Sequence, residues 1–166
     1  MKIRNTLTTL LIGLSSLTLN AESHAQPRYI QGKTLQGDHV NTQGKVTYLK
    51  FWATWCRYCI EEMPHLNSMF NNRSPRLEVL SINIGLNQSE DLVKRFLDKH
   101  QYQIATLFDG DGSITRSFDV IGTPTHILLD EQGNEIYRTA LMDEALQTAL
   151  STYLAKELSD KELSHD

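Results

Sequence analysis

The stretch Val46-Thr47-Tyr48-Leu49-Lys50-Phe51-Trp52-Ala53-Thr54-Trp55-Cys56-Arg57-Tyr58-Cys59 decides the fold of this 166-residue chain. Its first half, Val46–Trp52, is β-branched and aromatic with no breaker, and reads as a buried strand. The strand runs into two cysteines three positions apart and then into Ile60–Asn72, where Ile60, Met63, Leu66 and Phe70 recur at helical spacing. Pro64 falls inside that pattern and predicts a kink, because it removes a backbone donor. A Cys-x-x-Cys pair at such a junction has a physical logic. The first cysteine lies at the helix N-terminus, where free N–H groups and the helix dipole favour a thiolate. The second is one turn on, within reach of a disulfide. Cys56 is then the nucleophile toward a partner disulfide, and Cys59, the more buried, resolves the mixed disulfide.

These are the sequence's two cysteines, so a disulfide scaffold is excluded. Haem attachment needs a histidine directly after the second cysteine, and Ile60 stands there. A structural zinc site needs two more ligands at short spacing, whereas His65, His100 and His126 stand apart; no metal is expected. Sixteen Lys plus Arg against 20 Asp plus Glu give a net charge of −4. Without a basic run, a nucleic-acid partner is not expected. The length suits one domain with a core of its own.

Outward from the cysteines, Leu77–Ile84 alternates as a second strand, and Ser89-Glu90-Asp91 opens a helix ending near His100. Ala105–Phe108 reads as a short strand, followed by the turn Asp109–Gly112 and a short helix to about Phe118. That turn starts like a calcium loop but lacks the later carboxylate, so it reads as a turn. Strands at Thr125–Leu129 and Glu135–Thr139 flank the hairpin turn Asp130-Glu131-Gln132-Gly133-Asn134. An amphipathic helix follows from about Asp143 to Leu158, and Tyr29–Val40 supplies one or two short edge strands. The order β-α-β-α-β-α-β-β-α predicts a single α/β domain with a mixed sheet flanked by helices.

Residues 1–25 carry Lys2 and Arg4, an apolar stretch of about 13 residues from Leu7 to Leu19, and Ser23-His24-Ala25. That is the three-part pattern of a secretory signal peptide, and the apolar stretch is short of the ~20 residues of a membrane span. An uncleaved membrane anchor is the alternative. No cysteine precedes Cys56, so a lipidated N-terminal cysteine is not expected. Cleavage after Ala25 leaves an acidic mature chain, residues 26–166. In an oxidising compartment a working dithiol must be continually re-reduced.

Phe51-Trp52-Ala53-Thr54-Trp55-Cys56-Arg57-Tyr58-Cys59 with Glu62-Met63-Pro64 resembles the active-site segment of the thioredoxin superfamily, most closely its exported TlpA/ResA-like branch. Gly122-Thr123-Pro124-Thr125 resembles that superfamily's cis-proline loop, and Asp130–Gly133 its β-hairpin. The likeness covers about residues 44–154, and the interval from Cys59 to Pro124 is too short for the helical insertion of periplasmic disulfide oxidases. The resemblance implies a thioredoxin fold with Pro124 cis and facing the disulfide, and with Thr123 pairing its backbone with the substrate peptide. It implies no cofactor beyond the Cys56–Cys59 disulfide. The expected partners are a client protein bearing a disulfide or thiol pair and a membrane electron donor that re-reduces the cysteines. The implied protein is a monomeric thiol–disulfide oxidoreductase of the periplasm. Its clients would be cytochrome c maturation, copper-site assembly or repair-enzyme proteins. A disulfide-donating oxidase and a thiolate copper metallochaperone remain as alternatives. A peroxidase is not expected, since no separate peroxidatic cysteine is present.

The chain departs from the family pattern at Lys50, where the resemblance predicts Asp or Asn. A lysine inside a strand is costly unless paired or reaching water. Glu62 matches a glutamate common in the exported branch, so a Lys50–Glu62 pair behind Cys59 is one expectation. A lysine escaping along the sheet edge is the other. A lysine here also resembles the thioredoxin-like domain that feeds electrons to secreted methionine sulfoxide reductases. Arg57 is a cation beside Cys56 that would favour its thiolate, or else a solvated residue. Tyr58 is expected on the groove surface and Trp55 over Cys56; Trp52 and His126 read as core, Glu61 as a solvated helix residue.

Overall fold

A computed structural model describes residues 27–152. The predicted signal segment, and any continuation of the last helix past residue 152, lie outside the described residues. The described elements are β1 (Gln31–Lys33), β2 (His39–Asn41), β3 (Val46–Trp52), α1 (Arg57–Asn71), β4 (Leu77–Asn83), α2 (Glu90–His100), β5 (Thr106–Phe108), α3 (Ser113–Ser117), β6 (Thr125–Leu129) and β7 (Glu135–Thr139). Residues 144–152 form a further helical segment.

β3 lies at the centre because six of its seven residues, all but Lys50, are fit for burial, and all seven are buried. The five-stranded sheet runs β5-β4-β3-β6-β7, with β3, β4 and β5 parallel and β6 and β7 antiparallel to their neighbours. Alternate residues of a strand face opposite sides, so β3 feeds two cores. Val46, Tyr48 and Trp52 pack with Cys59, Met63 and Leu66 of α1, and with Leu146 and Leu150 of the final helix. Leu49 and Phe51 pack on the other face with Leu80, Ile82, Phe118 and Ile127. Each such buried aliphatic or aromatic side chain contributes about 1.5–3 kcal/mol of transfer free energy.

Local chemistry sets the element ends. Ser89 caps α2 by accepting the Leu92 N–H at 3.2 Å, and Gln101 ends it in the left-handed conformation at φ 57°. The Asp109 carboxylate accepts the N–H groups of Ile114 and Thr115 at 3.0 and 2.7 Å, which anchors the first turn of α3. Asp109 and its turn are therefore occupied by helix capping. Gly85, at φ 70°, passes so close to the Asp109 carbonyl that a Cβ would collide with it.

One sequence expectation is corrected. The 29–40 segment is not an edge of the main sheet: β1 and β2 pair with each other as a separate two-stranded sheet. The connection between β1 and β2 clasps β5 instead. Leu35 N–H donates to Thr106 O at 2.7 Å, while the Gln36 amide donates to Ile104 O at 2.9 Å and accepts from Thr106 N–H at 3.2 Å. α1 starts at Arg57 with Cys56 as its N-cap, so the first cysteine lies at the helix N-terminus as the sequence predicts. The helix continues through Pro64 to Asn71.

Candidate active site

Cys56 and Cys59 are joined by a disulfide, with their Cα atoms 5.2 Å apart. The Ala53-to-Cys56 turn delivers the first cysteine, with Cys56 N–H donating to Ala53 O at 3.1 Å. Cys56 Sγ then accepts the Cys59 N–H at 3.2 Å, as an N-cap side chain does. The sulfur of residue 56 thus sits where the helix presents unpaired N–H groups, an environment that favours a thiolate. Cys56 is 7% exposed and Cys59 fully buried, the asymmetry needed for one attacking and one resolving sulfur.

Pro124 is buried and its bond to Thr123 is cis. Phe51 of β3 pairs with Thr125 of β6 in antiparallel register. The loop entering β6 at Thr123-Pro124 and the loop leaving β3 toward Cys56 therefore emerge from the same end of the sheet. Thr123 Oγ1 is buried with no hydrogen-bond partner among the described residues. Thr123 also lines a cleft of about 310 Å3 with Trp55, Ile84, Leu86, Val120 and Ile121.

Trp55 is 53% exposed, and its indole donates to Leu86 O at 2.9 Å. The β4–α2 loop holds the approach to Cys56 at a second point, where Gln88 Oε1 accepts the Thr54 N–H at 3.0 Å. Tyr58 is exposed on α1. The Arg57 side chain is 86% exposed and bonds Glu61 at 2.9 Å one helical turn on, and Glu61, 53% exposed, is the solvated helix residue the sequence led one to expect.

Lys50 cannot escape along an edge, because β3 has a strand on either side. Its side chain is fully buried on the α1 face, where Nζ donates to Cys59 O at 3.0 Å and to Glu62 Oε2 at 2.7 Å. Glu62, one turn after Cys59, takes two further contacts. His126 Nε2 lies 3.1 Å from Oε2, and the Met142 N–H donates to Oε1 at 2.7 Å. Burial works against ionisation of Glu62, but the hydrogen bonds from His126, Lys50 and Met142 overcome it and hold the carboxyl at about 2. Burial pulls the Lys50 ammonium below its ordinary value, opposed by Glu62.

Sequence reasoning placed His126 in the core but missed its link to Glu62, and missed Tyr48 altogether. Tyr48 Oη lies 2.7 Å from His126 Nδ1. Half of the signal was local: Tyr48 and Lys50 are two apart on one strand and so share a face. Lys50 also pairs directly with His126 across β3 and β6.

Among the described residues no helix is long and apolar enough to cross a membrane. The chain is 35% identical over 105 residues to thioredoxin-like protein YneN of Bacillus subtilis, covering 61% of each chain. It is 29% identical over 115 residues to thiol-disulfide oxidoreductase ResA of Bacillus thuringiensis, covering 69% of this chain and 64% of that one. It therefore spans less than two thirds of the length of either relative. Among solved structures, StoA from Bacillus subtilis matches with a TM-score of 0.68 at 25% identity, covering 75% of this chain and 96% of that one. The pneumococcal exposed lipoprotein thioredoxin of Streptococcus pneumoniae matches in fold with a TM-score of 0.65 at 24% identity, covering 73% of this chain and 97% of that one. The described architecture is thus the thioredoxin-like α/β fold that the cysteine segment led one to expect. Its match begins at β1, earlier than the sequence motifs reached: residues 31–153 match Redoxin, and the chain belongs to the Redoxin family.

Proposed function

We propose that this protein is an exported thiol–disulfide oxidoreductase that reduces disulfides of client proteins in the periplasm. The observation that carries this reading is the Cys56–Cys59 disulfide at the N-terminus of α1, with Cys56 the less buried of the two cysteines and Cys59 fully buried. Two relatives bearing the name thiol-disulfide oxidoreductase support it. The pattern of residues 1–25 supports export.

In the reduced protein the Cys56 thiolate attacks a client disulfide, and one client sulfur leaves as a thiolate that takes a proton from water. Cys59 then gives up its proton, with the Lys50–Glu62 pair behind it assisting that departure. The Cys59 thiolate attacks Cys56 Sγ, the Cys56–client bond breaks, and the second client thiol is released. The protein is left as its own disulfide. A membrane dithiol donor returns two electrons, and two protons restore the thiols. The apolar cleft beside Trp55, Ile121 and Thr123 is where a client segment next to its cysteine would lie, and Tyr58 extends that surface.

Reduction rather than oxidation is favoured by Arg57. Its guanidinium is paired with Glu61 at the surface, so it lends the Cys56 thiolate little stabilisation. The helix N-terminus is then left as the main support of the thiolate, and the less a thiolate is stabilised, the more reducing the couple.

Replacing Cys59 with serine and recovering proteins disulfide-linked to Cys56 from the native compartment tests the reading directly. Capture of thiol-linked clients supports it, and an absence of any such adduct sinks it. A reduction potential close to about −270 mV supports the reductant, and one close to about −120 mV supports a disulfide donor instead. Tight Cu(I) binding with no insulin reduction would replace both with a metallochaperone.

A further inference from the structure

We infer that Tyr48 and His126 are positioning residues for the Glu62 carboxylate, and through it for the Cys59 step. The inference rests on the exchange reading above. His126 Nε2 stands 3.1 Å from Glu62 Oε2, and its Nδ1 stands 2.7 Å from Tyr48 Oη. An ionised carboxylate has acceptors only, so Nε2 must carry the imidazole proton that points at Glu62. Nδ1 is then a lone pair, and the Tyr48 hydroxyl donates into it. Tyr48 thereby selects the tautomer that can serve Glu62.

The carboxylate is held from three directions. β3 supplies Lys50, β6 supplies His126, and the segment after β7 supplies the Met142 N–H. Oε2 receives both side-chain donors and Oε1 the backbone one, so the plane of the group is fixed. The titratable groups facing this cluster are Tyr48 and Lys50 from β3, His126 from β6, Cys59 from the shared helix, and Asp143, whose charge acts on His126. Burial lowers the His126 pKa and favours the neutral ring, although Glu62 pulls the other way. Burial also raises Tyr48 well above its ordinary value, which keeps its hydroxyl a donor.

A neutral histidine has a consequence that a second lysine would not have. It adds a donor without adding a cation, so the Lys50 ammonium is balanced by one carboxylate. Lys50 touches the Cys59 carbonyl, and the field at Cys59 depends on where the balancing carboxylate sits. If Glu62 turned away, the resolving sulfur would meet a different charge each time it gave up its proton. Tyr48 and His126 prevent that turn without touching either sulfur.

The test compares full-length protein carrying His126→Phe, His126→Gln or Tyr48→Phe with the wild type. One readout is the carbon NMR titration of the Glu62 carboxyl in the oxidised protein. The other is the pH profile of Cys59 attack, followed in a single turnover as release of a chromogenic thiol linked to Cys56. His126→Phe is expected to raise the Glu62 midpoint by about one pH unit and slow thiol release about tenfold, in line with loss of one charge-assisted hydrogen bond. His126→Gln, which retains an amide N–H donor, is expected to restore most of both. Tyr48→Phe should move both readouts the same way, by about threefold in rate. If His126→Phe fails to fold, Tyr48→Phe decides alone, since it removes one hydroxyl and keeps the ring. Wild-type titration and rate profiles in Tyr48→Phe, or equal effects of His126→Phe and His126→Gln, would overturn the inference. A wild-type protein that reduces no protein disulfide would overturn the exchange reading alone, because the Glu62 titration needs no turnover.

Discussion

Lys50 and His126 stand directly opposite each other on β3 and β6, and both side chains end on the same oxygen, Glu62 Oε2. Two strands and a helix are therefore tied by one carboxylate placed one turn behind the buried sulfur. Replacing Lys50 with methionine removes the ammonium and leaves Glu62 with two donors. Breaking a buried pair from one side costs about 3 kcal/mol, while removing both charges together costs less. Urea unfolding should thus find Lys50→Met less stable than the double variant Lys50→Met/Glu62→Gln. The opposite order would mean that the pair contributes nothing as a pair.

Stability should fall in acid, in two stages. Glu62 is depressed in the folded protein from 4.5 to about 2. A depressed carboxyl stabilises the fold fully above its unfolded value and loses that contribution as pH falls from about 4.5 through about 2. The magnitude is about 3 kcal/mol at neutral pH. His126 is also lowered, so the unfolded chain takes up its proton first, and stability begins to decline below about pH 6.5. Denaturant midpoints measured from pH 7 to pH 3 should show both limbs. Glu62→Gln should flatten the lower one, and a profile unchanged by that substitution would contradict the assignment.

How far the sequence carried the reading is clearest at this cluster. Val46–Trp52, Thr125–Leu129 and Glu135–Thr139 were legible to the residue, because β-branched runs bounded by breakers leave little choice. The cysteine pair was legible because its spacing at a strand-to-helix junction has few uses. Lys50 and Glu62 were legible as an anomaly and its partner. Tyr48 and His126 were not, since each alone is an ordinary core residue. Their meaning comes from the β3–β6 register, a long-range pairing that local pattern does not encode. The separate β1–β2 sheet was missed for the same reason: three-residue strands carry no period long enough to assign them a neighbour.

The loop before Cys56 depends on a glutamine outside the motif. Gln88→Ala would leave the Thr54 N–H without its acceptor. We expect a loss of about 1–2 kcal/mol and faster hydrogen exchange at the Thr54 amide. Protection at Thr54 equal to the wild type would show that the loop is held by Ala53 and Trp55 alone.

Asp109→Ala should weaken α3 and the 119–123 segment that follows it, because two N–H groups of the first turn lose their acceptor. The expected cost is about 1–2 kcal/mol by thermal or denaturant unfolding. Gly85→Ala should be at least as damaging, since residue 85 has φ 70° and its Cβ would press on the Asp109 backbone. A Gly85→Ala variant as stable as the wild type would mean that this contact relaxes freely.

The Gln36 amide lies against β5 like one more peptide group in the ladder, taking the Thr106 N–H and giving to the Ile104 carbonyl. An outer strand with free rungs is an invitation to any extended chain that passes. Here the invitation is withdrawn by a side chain, and the neighbouring Leu35 N–H closes the rung beside it. The outer side of β5 is thus closed to strand addition at these rungs. The end of the sheet that carries the sulfurs has no such closure built from the Leu35–Gln36 segment.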